Sequence, residues 1–159
     1  MASNSGCLFC QIARSATATK LLHDDGKVVA FEDINPSALR RAWNSQFCVS
    51  GLRHYLVIPV EHISTVKDLQ RRAEDYLLVS HMLEVGKELL QNNAPEAVKH
   101  RFGFHHPPFN SVDHLHLHCL ALPYTSRWRH LKYLSWRPYG FVEVEKLLEK
   151  IKPSTPIQI

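Results

Sequence analysis

His114-Leu115-His116-Leu117-His118-Cys119-Leu120 alternates three imidazoles with apolar residues, and this run constrains the chain more than any other segment. In an extended strand successive side chains point to opposite faces. The histidines then share one face at roughly 6.6 Å per pair, while Leu115 and Leu117 face a core. The predicted result is an exposed imidazole row on a rigid support. Such a row suits metal binding, or it places one nucleophilic nitrogen beside others that hold and protonate a phosphate ester.

The remaining pattern predicts an α+β architecture, with an antiparallel sheet of about five strands, one long helix and a C-terminal helix. Val28 to Phe31 and Tyr55 to Pro59 are β-branched and aromatic runs bounded by Gly26, Asn35-Pro36 and Pro59. Arg101 to His105 and His114 to Ala121 read as a strand pair around His106-Pro107-Pro108. From Asp68 to about Asn92, Leu69, Tyr76, Leu83 and Leu90 recur every seven residues, with Ala73 and Leu77 beside them. That is one face of an amphipathic helix. A second helix is expected over about Val142 to Ile151, with Val144, Leu147, Leu148 and Ile151 inward and Pro153 ending it.

A chain of 159 residues, 45% hydrophobic and 21% charged, suits one domain with a real core. It is expected to span residues 1–152, followed by a frayed tail at 153–159. No apolar stretch is long enough to cross a membrane. The formal charge of +4 suits an anionic ligand such as a nucleotide, though a modest excess is common without one. MASNSGCLFC has neither the basic nor the apolar region of a secretory signal, so a reducing compartment is expected. Cytoplasm is the default, with nucleus and peroxisome left open.

Cys7 and Cys10 form a C-x-x-C without the βαβ context of a thioredoxin-type redox site. Zinc is the favoured reading. With no second C-x-x-C, a tetrahedral site needs two imidazoles from elsewhere. Two buried reduced thiols are the alternative.

The histidine run, together with Phe31-Glu32-Asp33-Ile34-Asn35-Pro36 and His54-Tyr55-Leu56-Val57-Ile58-Pro59 followed by His62, resembles the histidine triad (HIT) superfamily in its Hint branch. The motifs occur in family order from Cys7 to Leu122. Arg101-Phe102-Gly103-Phe104-His105-His106-Pro107-Pro108-Phe109 is similar to the aprataxin side of that branch and to its plant adenylylsulfatase type.

The resemblance implies hydrolysis of a nucleoside 5′-phosphosulfate or phosphoramidate to AMP through a nucleotidyl-histidine, with phosphorolysis to ADP when phosphate replaces water. The implied catalytic set is His114, His116, His118 and Ser111: His116 is the nucleophile, His118 binds the phosphoryl oxygens, and Ser111 contacts phosphate and assists the leaving group. Asn110 neighbours that serine. Asp33 binds the ribose hydroxyls as a two-bond acceptor, and Phe31 and Ile34 line the base pocket. Zinc-containing members use residues that map to Cys7, Cys10, His62 and His114, a Cys2His2 structural set. With His62 and His114 turned to zinc, the orientation of His116 is expected to come from a main-chain carbonyl. The branch also implies a homodimer.

Other readings stay open: dinucleoside polyphosphate hydrolysis, aprataxin-like deadenylation, or a non-catalytic zinc-stabilised nucleotide-binding or scaffold protein. The cations and aromatics of Arg127 to Arg137 suit single-stranded nucleic acid, but a solvated basic face explains them as well, and nucleic acid is not the expected partner. The sequence departs from the family pattern twice. Leu39-Arg40 and Leu52-Arg53 bracket an apparent insertion at about 40–52, and Gly103 stands where Hint enzymes commonly carry asparagine.

Overall fold

The computed structural model describes residues 6–33, 53–95, 97, 99–107, 112–122 and 140–154. Ile34, Asn110, Ser111, the 40–52 insertion, the Arg127 to Arg137 stretch and the tail beyond 154 lie outside them.

Among the described residues six antiparallel strands form one sheet in the order β1-β2-β3-β5-β4-β6. They are β1 (Leu21–Asp24), β2 (Val28–Glu32), β3 (His54–Pro59), β4 (Lys99–His105), β5 (Leu117–Leu122) and β6 (Phe141–Glu143). The helices among the described residues are α1 (Leu8–Ala13), α2 (Ala73–Asn93) and α3 (Val144–Ile151). The architecture is the expected α+β one, with six strands rather than about five. The two beyond the four runs named from sequence are the edges: β1 reads Leu-Leu-His-Asp, which does not alternate, and β6 is three residues long, so neither sequence carries a strong period-two signal.

Two cores lie on opposite faces of the sheet. Val28, Ala30, Tyr55, Val57, Leu115, Leu117, Cys119 and Ala121 pack with α2 and α3 residues such as Val79, Met82, Leu90, Leu147 and Ile151. Val29, Phe31, Leu56 and Ile58 pack with Phe9, Ile12 and Ala13 of α1. Burying each of these large apolar side chains contributes about 1.5–3 kcal/mol. Strands apolar on both sides are what β2 and β3 need, since both are sandwiched.

Helix α2 begins at Ala73, not near Asp68. Asp68 is taken up in a turn in which its carboxylate accepts the Thr65 backbone N–H, and Asp75 accepts the Gln70 N–H just before the helix. Leu83 and Leu90 are buried as expected, but Leu77 is exposed; Val79, Met82, Val85 and Gly86 complete the inner face. Helix α3 starts at Val144, two residues later than expected, because Val142 and its neighbours pair with β4 first.

Gly103 has a packing reason to be glycine. It pairs with Glu143 of β6, and a Cβ there would lie 2.4 Å from the Val142 carbonyl oxygen and 2.5 Å from the Phe141 ring. Backbone cannot yield as a side-chain end can. Gly103→Ala is therefore expected to destabilise by about 1–3 kcal/mol or more, read as a lowered urea midpoint, whereas an unchanged midpoint would show that β6 shifts freely.

Candidate active site and metal centre

Regular pairing of β5 starts at Leu117, so His114 and His116 sit just before the strand and only His118 lies within it. The alternation persists nonetheless. Leu115 and Leu117 enter the α2 core, while Phe9 of α1 meets His114 and His116 edge-on at ring-centroid distances of 6.0 and 5.3 Å. The row is not exposed: His114, His116 and His118 are 0%, 5% and 4% accessible. Phe9 covers it from one side and Phe141 of β6 from the other. Sequence alternation gives the face but not what later packs upon it.

The three imidazoles do different things. His116 Nδ1 lies 2.6 Å from the carbonyl oxygen of His114. A carbonyl can only accept, so Nδ1 carries the proton and Nε2 holds the lone pair. This is a main-chain orientation of the kind expected if His62 and His114 are turned elsewhere. His116 also borders a small cleft with Ser64, Thr65, Phe104, His105 and Leu115.

His114 faces the thiols. Its Nε2–H donates to the Pro59 carbonyl at 2.9 Å, leaving Nδ1 as an acceptor 3.5 Å from both Cys7 Sγ and Cys10 Sγ and 3.3 Å from His62 Nδ1. His62 Nδ1 is in turn 3.2 Å from Cys10 Sγ. A tetrahedral zinc with bonds of about 2.3 Å to sulfur and about 2.0–2.1 Å to nitrogen has S···N edges of about 3.5 Å and N···N edges of about 3.4 Å. The four donors fit that figure. Burial, reinforced by His62 and His116 and opposed by the Pro59 bond, lowers the pKa of His114 to about 4, and burial beside Cys7 raises that of Cys10. Cys119 stands apart as a core thiol whose pKa burial alone raises.

His118 joins a buried chain of polar groups. Asp33 Oδ2 lies 3.2 Å from His54 Nδ1, His54 Nε2 lies 2.8 Å from His118 Nδ1, and His118 Nε2 lies 2.8 Å from His105 Nδ1. For neutral rings the carboxylate fixes the direction: His54 donates to Asp33, His118 to His54, and His105 to His118. Both nitrogens of His118 are thus engaged by neighbouring imidazoles. Contact with a phosphoryl oxygen through Nε2 requires exchanging His105 for substrate and a proton on Nε2, because the oxygen can only accept.

His54 and His105 were given no role from sequence, although both stand in the quoted motifs. Register supplies the missing signal. His118 pairs with Leu56 on β3 and with Gly103 on β4, so His54 and His105, each two residues away on its strand, share its face as diagonal neighbours. Phe141 closes this end, held by Arg101, whose guanidinium lies 4.6 Å over the ring and is paired with Glu143. Phe31 packs against Phe9 beneath the same face, at a centroid distance of 5.7 Å.

A sheet carrying this histidine arrangement defines a histidine triad protein, and the chain belongs to that family. A family model described as scavenger mRNA decapping enzyme C-term binding matches residues 6–133. Within the family the chain is similar to the Arabidopsis thaliana bifunctional adenosine 5′-phosphosulfate phosphorylase/adenylylsulfatase HINT4, at 60% identity over 151 residues and 94% of each chain. It is 37% identical to the Mus musculus adenosine 5′-monophosphoramidase HINT3 over 155 residues, covering 94% of this chain and 83% of that one. Among solved structures, a HIT family hydrolase from Legionella pneumophila Philadelphia 1 superposes with a TM-score of 0.60 at 28% identity, covering 76% of this chain and 96% of that one.

Proposed function

We propose that the protein is a nucleotide hydrolase that cleaves adenosine 5′-phosphosulfate or nucleoside phosphoramidates to AMP through a covalent nucleotidyl-histidine. The observation that carries this is the His116 Nδ1 contact with the His114 carbonyl, which puts the proton on Nδ1 and so the lone pair that attack on phosphorus needs on Nε2. The Nε2–P bond forms as the P–O bond to sulfate, or the P–N bond to an amine, breaks. Sulfate departs with the bonding pair, whereas the amine needs a proton. Water then attacks phosphorus, returns the electron pair to His116 Nε2 and loses a proton, giving AMP. Orthophosphate in place of water gives ADP.

Asp33 binds the ribose hydroxyls in this reading, and its bond to His54 couples the sugar end of the site to His118. Phe31 and Ile34 line the base pocket, Asn110 and Ser111 contact phosphate, and His118 takes the phosphoryl oxygens. Cys7, Cys10, His62 and His114 hold zinc as a structural ion that ties α1 to the segment before β5. The protein is a homodimer, as the Hint branch implies, and works in the cytoplasm.

The test is a substrate profile with product identification. AMP release from adenosine 5′-phosphosulfate and from adenosine 5′-phosphoramidate, with part of the product appearing as ADP when orthophosphate is added, is the expected outcome. Binding of both nucleotides without AMP or ADP formation would reduce the protein to a nucleotide-binding one.

A further inference from the structure

The turn between β1 and β2 carries a second cluster of metal-type donors. His23 Nε2 lies 3.2 Å from Asp25 Oδ2, and His81 Nε2, from the middle of α2, also contacts that same oxygen. The three donor atoms lie within 4.8 Å of one another. Their side chains are about one third exposed, at 30%, 29% and 35%, which leaves a path from solvent while packing restrains the rings.

The carboxylate is held in place by backbone. Asp25 Oδ1 accepts the Lys27 and Val28 N–H groups, each at 2.9 Å, while the Gly26 N–H goes to Asp24 Oδ1 at 3.1 Å. Gly26 adopts φ +79°, which a side chain would make costly, so the turn is tight. One oxygen is thereby tied to the main chain and the other is aimed at the imidazoles. A carboxylate fixed in this way is the outer-shell support that metal sites use.

We propose that His23, Asp25 and His81 form a second metal site that takes one borderline divalent transition-metal ion, such as Zn2+, Ni2+ or Co2+. Two imidazole nitrogens and one carboxylate oxygen select such ions over Mg2+ or Ca2+, which prefer all-oxygen shells. Bonds of about 2.0–2.1 Å separate adjacent donors by about 3.3 Å in a tetrahedron. The His23 and Asp25 atoms already stand at 3.2 Å, and all three donor atoms lie within 4.8 Å of one another. Three protein ligands leave a position open to water. The bound ion pins the β1–β2 turn to α2 across a sequence separation of 56 positions.

The experiment titrates Co2+ into the full chain and into His23→Ala, His81→Ala and the double variant, following visible absorption and thermal midpoint. The expected result is a component with d–d absorption but no thiolate-to-cobalt charge transfer, because no sulfur ligand is present. Each single variant should weaken that component by more than the roughly 10–100-fold typical of losing an outer-shell partner. The double variant should lose it, while Cys7→Ser keeps it. Asp25→Asn, which preserves the oxygen that accepts Lys27 and Val28, should also weaken it without unfolding the turn. Co2+ should raise the midpoint of the parent but not of the double variant through this site. Equal affinity and stoichiometry of the thiolate-free component in parent and double variant would overturn the site. Its absence from the parent would leave the cluster as a metal-free imidazole–carboxylate contact and overturn it equally.

Discussion

His116→Ala is expected to abolish turnover, lowering AMP formation by at least about a thousandfold, while AMP binding changes little. The asymmetry follows from what each group touches. His116 supplies the lone pair, oriented by the His114 carbonyl, and no other imidazole in the cluster has the same orientation. His114 Nε2 is spent on Pro59, and His118 is held at both nitrogens by His54 and His105. When His118 exchanges His105 for a phosphoryl oxygen it does so as a donor at Nε2, with no lone pair left for attack. The proposed binding groups Phe31, Asp33 and His118 stay in place, so affinity for AMP measured by calorimetry should hold within a few fold. An alanine variant that turns over normally would remove His116 from the chemistry.

The second large effect falls on stability. Cys7→Ser, Cys10→Ser or strong chelation should cost several kcal/mol, because metal-binding energy at a structural site is folding energy. A chain of this size loses about 2–4 °C in Tm per kcal/mol, so a fall of about 10 °C or more is expected. Helix α1 explains the sensitivity. At six residues it is too short to be stable alone, and it lacks a side-chain cap, yet its Phe9 covers His114 and His116. Cys10 is buried within this helix and Cys7 precedes it, so loss of the proposed ion is expected to loosen the lid over the histidines. The rate per folded molecule should fall less than the stability does. Elemental analysis that finds no metal in a fully stable parent protein would contradict the site.

Much of this was legible in the chain because periodicity and burial agree. The alternation of His114 to Leu120 set one face apart, and the β2 and β3 runs were readable as strands because apolar residues fill both of their sides. The proposed metal donors were separable into thiols and imidazoles by type, and the convergence of these side chains across separations of 52, 104 and 107 positions is a tertiary fact that the resemblance, not spacing, anticipated. What local pattern could not show was burial of the row. That depends on α1 and β6 closing over it, two short elements with little signal of their own. The same holds for His54 and His105, which matter only through the pairing of β3, β5 and β4. Leu77 was misassigned to the core for the opposite reason: seven-residue spacing marks the centre of a helix stripe well and its edge poorly.

The central claim is that phosphorus becomes bonded to His116 Nε2 during turnover. Rapid acid-free quench of the protein with adenosine 5′-phosphosulfate, followed by digestion and mass spectrometry, tests it directly. The expected result is an adenylyl group on the peptide containing His116, formed within the first turnover and lost on standing as AMP appears. An adenylyl group on another residue, or full turnover with no adenylated peptide at any time, would contradict it.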